Sequence, residues 1–256
     1  MRTRVLASAL TAAALAMVAP ASALANHSWS GYHWARTSNP FTLRLGDNVT
    51  SAWDSSLTLA SSDWTKSSVL DTTVVAGSTR PKTCRPTAGR VEVCNASYGS
   101  TGWLGIASIS VTGGTHITQG TVKLNDTYFN TAQYNTPAWR NLVTCQEVGH
   151  TFGLAHQDEN FNNANLGTCM DYTNDPSSNQ HPNQHDYDQL VSIYSHTDST
   201  TTVGAALPSG SSAVSVGNDE RSWGRLVEGS RSEGHSTHVR DLGNGNLVIT
   251  TVTWAR

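Results

Sequence analysis

The chain has 256 residues, with 16 Lys and Arg against 19 Asp and Glu, which gives a formal net charge of −3. The sequence has no excess of basic residues, so nucleic acid is not expected as a partner. A chain of this length is expected to form one substantial domain with an appendage.

Residues 1–25 have the pattern of a secretory signal peptide. Arg2 and Arg4 precede the uncharged run VLASALTAAALAMVA, and Ala23 and Ala25 occupy the small-residue positions before a cleavage site. The apolar run is short for a membrane span, and no second candidate follows it in the sequence. We therefore expect cleavage after Ala25, a secreted extracellular protein and no membrane partner.

Hydrophobic patterning then predicts a mixture of strands and helices over residues 26–196. A helix is expected at 50–64, where Val49, Trp53 and Leu57 recur every four residues. Alternating or apolar runs predict strands at 39–48, 67–77, 91–94, 102–111 and 116–125. The last of these contains Gly120 and ends in polar residues, which favours an edge strand near a cleft.

Two further helices are expected after the strands. Thr136 is a suitable N-cap and Pro137 a suitable first residue for a helix that Gly153 ends. The segment NQHDYDQLVSIYSH, residues 183–196, reads as a closing amphipathic helix.

The C-terminal part differs in composition. Residues 197–214 are rich in Ser, Thr and Gly and are expected to form a linker. Residues 215–256 are expected to form a small β extension with a hairpin that turns at 243–246. The extension either binds something or packs on the main domain, and packing is the favoured interpretation.

All four cysteines follow the signal peptide, and an even number in an oxidising compartment favours disulfides. Three pairings are open. Sequence proximity favours Cys84 with Cys94 and Cys145 with Cys169.

The segment TCQEVGHTFGLAHQD, residues 144–158, carries the most specific chemistry. Gln146 and His150 lie four residues apart and project from one face of a helix, with Glu147 beside them. A sharp turn at Gly153 brings His156 back toward them. Three protein ligands with one position left for water is the geometry that a catalytic zinc needs, and a nearby carboxylate moves the proton of that water.

This segment resembles the HExxHxxGxxH motif of the metzincin clan of zinc endopeptidases, with a layout closest to the matrixins. All defining positions match except the first, where Gln146 replaces a histidine. GTCMDY supplies the methionine of the clan's methionine turn, Met170, and Tyr172 follows two residues later, as in the astacin and serralysin branches. The resemblance implies an α+β, zincin-like fold: a mixed twisted sheet, an active-site helix and a methionine turn, here with the small C-terminal β extension.

The resemblance further implies a secreted zinc metalloendopeptidase that acts on protein or peptide substrates. Zn²⁺ is expected on Gln146, His150 and His156, with Glu147 as general base and Tyr172 as stabiliser of the oxyanion. An amide oxygen is a weaker zinc donor than imidazole, so weaker binding than in three-histidine relatives is expected. The alternative is a catalytically inactive pseudoprotease that binds peptides or proteins outside the cell.

The sequence also leads to expectations about oligomeric state, Ca²⁺ and the other histidines. The chain is expected to be a monomer. Structural Ca²⁺ is compatible with the Asp- and Asn-rich loop 159–181, although no ligand spacing identifies a site. The other eight histidines are expected at the surface, with His116 the one candidate for a substitute ligand: His27, His33, His116, His181, His185, His196, His235 and His238.

Overall fold

The computed structural model describes residues 27–207 and 213–256. The predicted signal peptide, residues 1–25, lies outside these ranges, as does part of the expected linker. Within them the chain forms nine strands: β1 (His33–Trp34), β2 (Phe41–Asn48), β3 (Leu70–Ala76), β4 (Val91–Ala96), β5 (Trp103–Thr112), β6 (His116–Asn125), β7 (Arg225–Ser230), β8 (His235–Gly243) and β9 (Asn246–Trp254).

The described residues also form four α-helices: α1 (Asp54–Trp64), α2 (Asp126–Phe129), α3 (Pro137–His150) and α4 (Gln184–Ile193). The predicted helices at 50–64 and 183–196 and the helix from Pro137 are therefore confirmed, with ends that differ by a few residues. The strands β1 and β7 and the short helix α2 were not predicted. Each helix in the described part of the chain is too short or too polar to qualify as a membrane span.

The strands form one mixed sheet in the order β3-β2-β4-β6-β5-β9-β8-β7, and β1 pairs with β6. The first four strands of this order run parallel to one another. From β6 onward each neighbour is antiparallel. The predicted α+β class with a mixed sheet is confirmed, while the finer zincin-like assignment stays a prediction.

Strand β6 is not the edge strand that its polar residues suggested. It lies between β4 and β5, and its residues from Ile117 to Asn125 are all buried. The prediction was wrong because the polar side chains find partners inside the protein. The Lys123 ammonium, for example, donates to the Val216 carbonyl oxygen at 2.6 Å and to Asn218 Oδ1 at 2.9 Å.

Both predicted disulfides are present. Cys84 pairs with Cys94, and Cys145 pairs with Cys169. The second bond joins α3 to the segment that carries Met170, so the helix with the metalloprotease-like motif is covalently tied to the chain beneath it.

The C-terminal segment continues the main sheet. Strand β9 pairs with β5 over most of its length, from Leu247 opposite Val111 to Trp254 opposite Trp103. The predicted hairpin turn at 243–246 is confirmed, and its central residues Asn244 and Gly245 have positive φ, as a two-residue hairpin turn requires. Trp223 and Trp254 lie in a second apolar cluster on this part of the sheet.

Candidate active site

Helix α3 carries three of the five predicted site residues. Its start agrees with the prediction, because the Thr136 side chain accepts a hydrogen bond from the backbone N–H of Trp139. The helix packs on α1 and β5. Since its last nine residues are all buried, Gln146, Glu147 and His150 face the interior of the protein.

Two glycines permit the close packing around the end of α3. A Cβ atom on Gly149 would lie 2.8 Å from Met170 Sδ, which places the methionine directly against the helix. Gly153 has φ +94°, and a Cβ atom there would collide with the Tyr32 carbonyl oxygen. The predicted sharp turn is therefore confirmed, and it returns the chain toward α3 at His156.

The two histidines of the motif meet beyond this turn. His150 Nε2 lies 3.0 Å from His156 Nε2. His150 Nδ1 is 2.8 Å from the Leu154 carbonyl oxygen, and His156 Nδ1 is 2.7 Å from the Tyr172 hydroxyl. The structure thus joins three of the predicted residues, His150, His156 and Tyr172, in one hydrogen-bonded chain.

The protonation states of His150, His156 and Tyr172 follow from their hydrogen-bond partners. Burial lowers the pKa values of His150 and His156 well below the usual range, so both rings are neutral. A carbonyl oxygen only accepts, so His150 carries its proton on Nδ1 and presents a lone pair at Nε2. In the absence of a cation, His156 donates from Nε2 to that lone pair and accepts the Tyr172 proton at Nδ1.

The same histidine pair fits a zinc ion. Nitrogen ligands of one tetrahedral zinc lie about 3.3 Å apart, given Zn–N distances of about 2.0–2.1 Å. The observed separation of 3.0 Å between the two Nε2 atoms is close to this value. An oxygen atom beside each Nδ1 is the arrangement that orients metal-bound imidazoles. The indole of Trp29 stacks on the His150 ring at 5.1 Å and further fixes its plane.

Both ends of the Gln146 amide are hydrogen-bonded within the protein. Its Nε2 donates to the Cys169 carbonyl oxygen at 2.9 Å, and its Oε1 accepts from the Thr253 hydroxyl at 2.9 Å. Gln146 lies one helical turn before His150 on α3, and its side chain is held by the Cys169 backbone and by strand β9 rather than by the histidine pair.

Glu147 is fully buried, and its carboxyl group contacts the same hydroxyl. Glu147 Oε1 lies 2.6 Å from Thr253 Oγ1, and the backbone N–H of Ala107 also donates to the carboxyl group. Burial raises the pKa of Glu147 to about 8, against these two hydrogen bonds, which lower it. A protonated Glu147 donates to Thr253, which in turn donates to Gln146, so a single hydroxyl bridges the two side chains, while Glu147 Oε2 is buried with no hydrogen-bond partner among the described residues.

Strand β8 and the loop after the motif complete the surroundings of the histidine pair. The His235 ring lies 4.7 Å from the Tyr172 ring and 5.7 Å from the His156 ring. The Glu159 carboxylate lies 3.5 Å from both His156 Nδ1 and His235 Nε2. Sequence reasoning missed these contributions because Thr253 and His235 come from strands far along the chain that carry no motif.

Neither a protein-family model nor a curated protein sequence matches the chain. The resemblance to metzincins therefore depends on the residues of the motif and on the geometry described above.

The expectation that the other histidines are surface residues was wrong for four of them. His27, His33, His235 and His238 are buried. His116, the candidate substitute ligand, lies beside His33 and Asp198 in a different group of side chains. Histidine is compatible with burial when a ring nitrogen finds a hydrogen-bond partner, as His27 Nδ1 does at the Ala155 carbonyl oxygen.

Proposed function

We propose that the chain is a secreted zinc-dependent endopeptidase that hydrolyses peptide bonds, with Glu147 as general base. The observation that carries the proposal is the approach of His150 Nε2 and His156 Nε2 to 3.0 Å, with an oxygen atom beside each Nδ1. Neutral imidazole is a preferred ligand of zinc. Gln146 is proposed as the third ligand, which requires its Oε1 to leave Thr253.

When bound, zinc supplies Lewis-acid polarisation of a peptide carbonyl group and a lower pKa for water. Glu147 then accepts a proton from the attacking water and returns it to the leaving amine. Its pKa of about 8 lies near neutral pH, which suits a group that both takes and gives a proton. A cation nearby lowers the raised pKa of Glu147 and favours the ionised, basic form.

Secretion is part of the proposal. The two disulfides are typical of oxidising compartments. Substrates are proteins or peptides, and we expect a monomer with no nucleic-acid or membrane partner. The proposal includes no defined Ca²⁺ site.

A second candidate function is a pseudoprotease that binds peptides or proteins. It is favoured by one specific observation: the Thr253 hydroxyl is hydrogen-bonded to both Gln146 Oε1 and Glu147 Oε1, so these two oxygens have a partner without a cation. In this case the hydrogen-bonded Gln146, Glu147 and Thr253 side chains have a structural role, and the protein binds its partner without a metal ion.

Zinc content and peptide hydrolysis of protein purified without chelator separate the two candidates. We expect bound zinc and activity in the wild type. Glu147→Gln should retain zinc but lose about 10²- to 10⁴-fold in kcat/KM, because the proton-transfer group is gone. Glu220→Gln, a change at an exposed carboxylate, is the control and should leave both unchanged. The pseudoprotease would be established instead by two results together. The protein would bind peptides without hydrolysing them, and His150 and His156 would stay metal-free in excess zinc.

A further inference from the structure

Strands β7, β8 and β9 join the main domain along a single pair of strands. β7 pairs with β8, β8 pairs with β9, and β9 pairs with β5. Because β6 lies on the other side of β5, β9 occupies the edge of β5 that faces away from the parallel part of the sheet. We refer to residues 246–256, which comprise β9 and the two residues after it, as the C-terminal strand segment.

The end of the C-terminal strand segment runs across the proposed active site. The Ala255 backbone N–H donates to the Gly102 carbonyl oxygen at 2.7 Å. The Arg256 backbone N–H donates to the Tyr134 hydroxyl at 2.8 Å, and this hydroxyl donates to the Arg256 carbonyl oxygen at 2.8 Å. The Arg256 guanidinium lies 4.0 Å from the centre of the Phe161 ring. The segment therefore extends from β5 to the loop 159–181 in an extended form, as a bound peptide would.

Thr253 places its hydroxyl on the two side chains that the proposed reaction needs. Thr253 Oγ1 lies 2.9 Å from Gln146 Oε1 and 2.6 Å from Glu147 Oε1. A zinc ion in the proposed site requires the same oxygen of Gln146. The attacking water requires access to Glu147, which is fully buried. The docked segment thus competes with the cation for Gln146, and with water for Glu147.

We propose that the C-terminal strand segment is an intramolecular inhibitor, which binds the site as a peptide would and keeps the proposed peptidase in a low-activity state. The inference rests on the proposed function and adds to it the ligand that fills the peptide site. Release of the segment frees Gln146 Oε1, exposes Glu147 and opens the edge of β5. Activity is then limited by the fraction of molecules in which the segment is released.

Thr253→Val in the expected mature chain, residues 26–256, tests the inference. Valine keeps the branched shape of threonine but lacks the hydroxyl, so the docked state leaves buried oxygens of Gln146 and Glu147 without their partner. The released fraction should rise, and kcat/KM with it, by about 5- to 30-fold. Zinc affinity, measured by competition with a chromogenic chelator in the absence of substrate, should also rise, because the cation no longer competes with a hydrogen bond.

Tyr134→Phe weakens the other end of the segment without touching Gln146 or Glu147. It removes both hydrogen bonds to the Arg256 backbone and should raise kcat/KM by about 3- to 10-fold. Thr251→Val is the matched control. Thr251 lies two residues before Thr253 on β9, but its buried hydroxyl has no hydrogen-bond partner among the described residues. It should raise neither activity nor zinc affinity.

Amide hydrogen exchange gives a measurement that does not depend on activity. In metal-free protein, the amides that pair β5 with β9 should exchange faster in Thr253→Val and Tyr134→Phe than in the wild type, and Thr251→Val should show no increase. If neither the wild type nor any variant hydrolyses peptides, the proposed function fails and the inhibitor fails with it. If the wild type hydrolyses peptides and neither Thr253→Val nor Tyr134→Phe exceeds it, the inhibitor alone is overturned.

Discussion

At the scale of single residues, the contact between Tyr172 and His156 gives the tyrosine a specific role. Its hydroxyl lies 2.7 Å from His156 Nδ1, where it orients the ring whose Nε2 faces His150. Tyr172→Phe should therefore weaken zinc binding by about 10- to 100-fold, as the loss of a group that orients a metal ligand typically does. Competition with a chromogenic chelator measures this change.

Tyr187→Phe is the control for that experiment, because the Tyr187 hydroxyl also makes one hydrogen bond, which is partly buried, with the Asp63 carbonyl oxygen at 2.9 Å. It should leave zinc affinity unchanged. If Tyr172→Phe instead keeps wild-type zinc affinity and loses only kcat, the hydroxyl acts on the substrate and its contact with His156 is incidental.

The contacts within the site are of two kinds: some join residues close in sequence, and others join residues far apart along the chain. The four-residue spacing on α3 and the turn at Gly153 are local, and they were enough to predict that His150 and His156 approach each other. The contact of Glu147 with Thr253 spans 106 residues. No local pattern specifies such a contact, because it depends on which strand β9 joins.

At the scale of elements, strand β9 covers part of the proposed active site. It occupies the edge of β5 beside α3, where its Thr253 covers Glu147 and Gln146. An extended peptide adds to a sheet by pairing with a free strand edge, and here β9 already fills that edge. If the chain is a peptidase, β9 must separate from β5 before a substrate binds in this way.

A disulfide across this strand pair tests that requirement. The Ser108 and Thr250 hydroxyl oxygens of β5 and β9 lie 3.0 Å apart, so Ser108→Cys/Thr250→Cys places two thiols in contact. The oxidised variant should lose at least about 10-fold in peptidase activity, because the disulfide keeps β9 paired with β5 over Glu147 and Gln146. Mild reduction should restore the activity. His238→Cys/Thr250→Cys ties β9 to β8 instead and is the control. Full activity of the oxidised β5–β9 variant would show that substrates bind without moving β9.

The elements themselves were largely predictable, but their order in the sheet was not. Alternation predicted β2 and β3, and the residues GNGN predicted the hairpin turn between β8 and β9. The pairing of β9 with β5 and the central place of β6 follow from packing between distant segments, which periodicity does not encode. Polar residues on β6 misled the prediction because Lys123 and its neighbours are buried with partners.

At the scale of the whole molecule, buried titratable groups determine how stability depends on pH. The pKa of Glu147 is raised from 4.5 to about 8 by burial, and that of Asp186 is raised from 3.8 to about 6 by the same cause. Burial also lowers the pKa of Lys123 to about 8. Each group makes the folded and unfolded states bind different numbers of protons over a defined range of pH.

The contribution of Glu147 has a definite sign. Between pH 4.5 and 8 the unfolded chain carries this carboxyl group ionised, whereas the folded protein keeps it protonated. The folded state therefore binds more protons, and the free energy of unfolding falls as pH rises through this range, by at most about 4 to 5 kcal/mol. Glu147→Gln removes this contribution, so the wild type should lose more stability than the variant between pH 5 and 8.

Urea unfolding of both proteins at several pH values, with chelator present to remove metal, measures the difference. Asp186, Lys123 and the histidines are common to both proteins, so their contributions cancel when one profile is subtracted from the other. Parallel profiles would mean that Glu147 is ionised inside the folded protein. The hydroxyl of Thr253 would then donate to a carboxylate, and Gln146 Oε1 would lack that hydrogen bond and be free to turn toward the histidine pair.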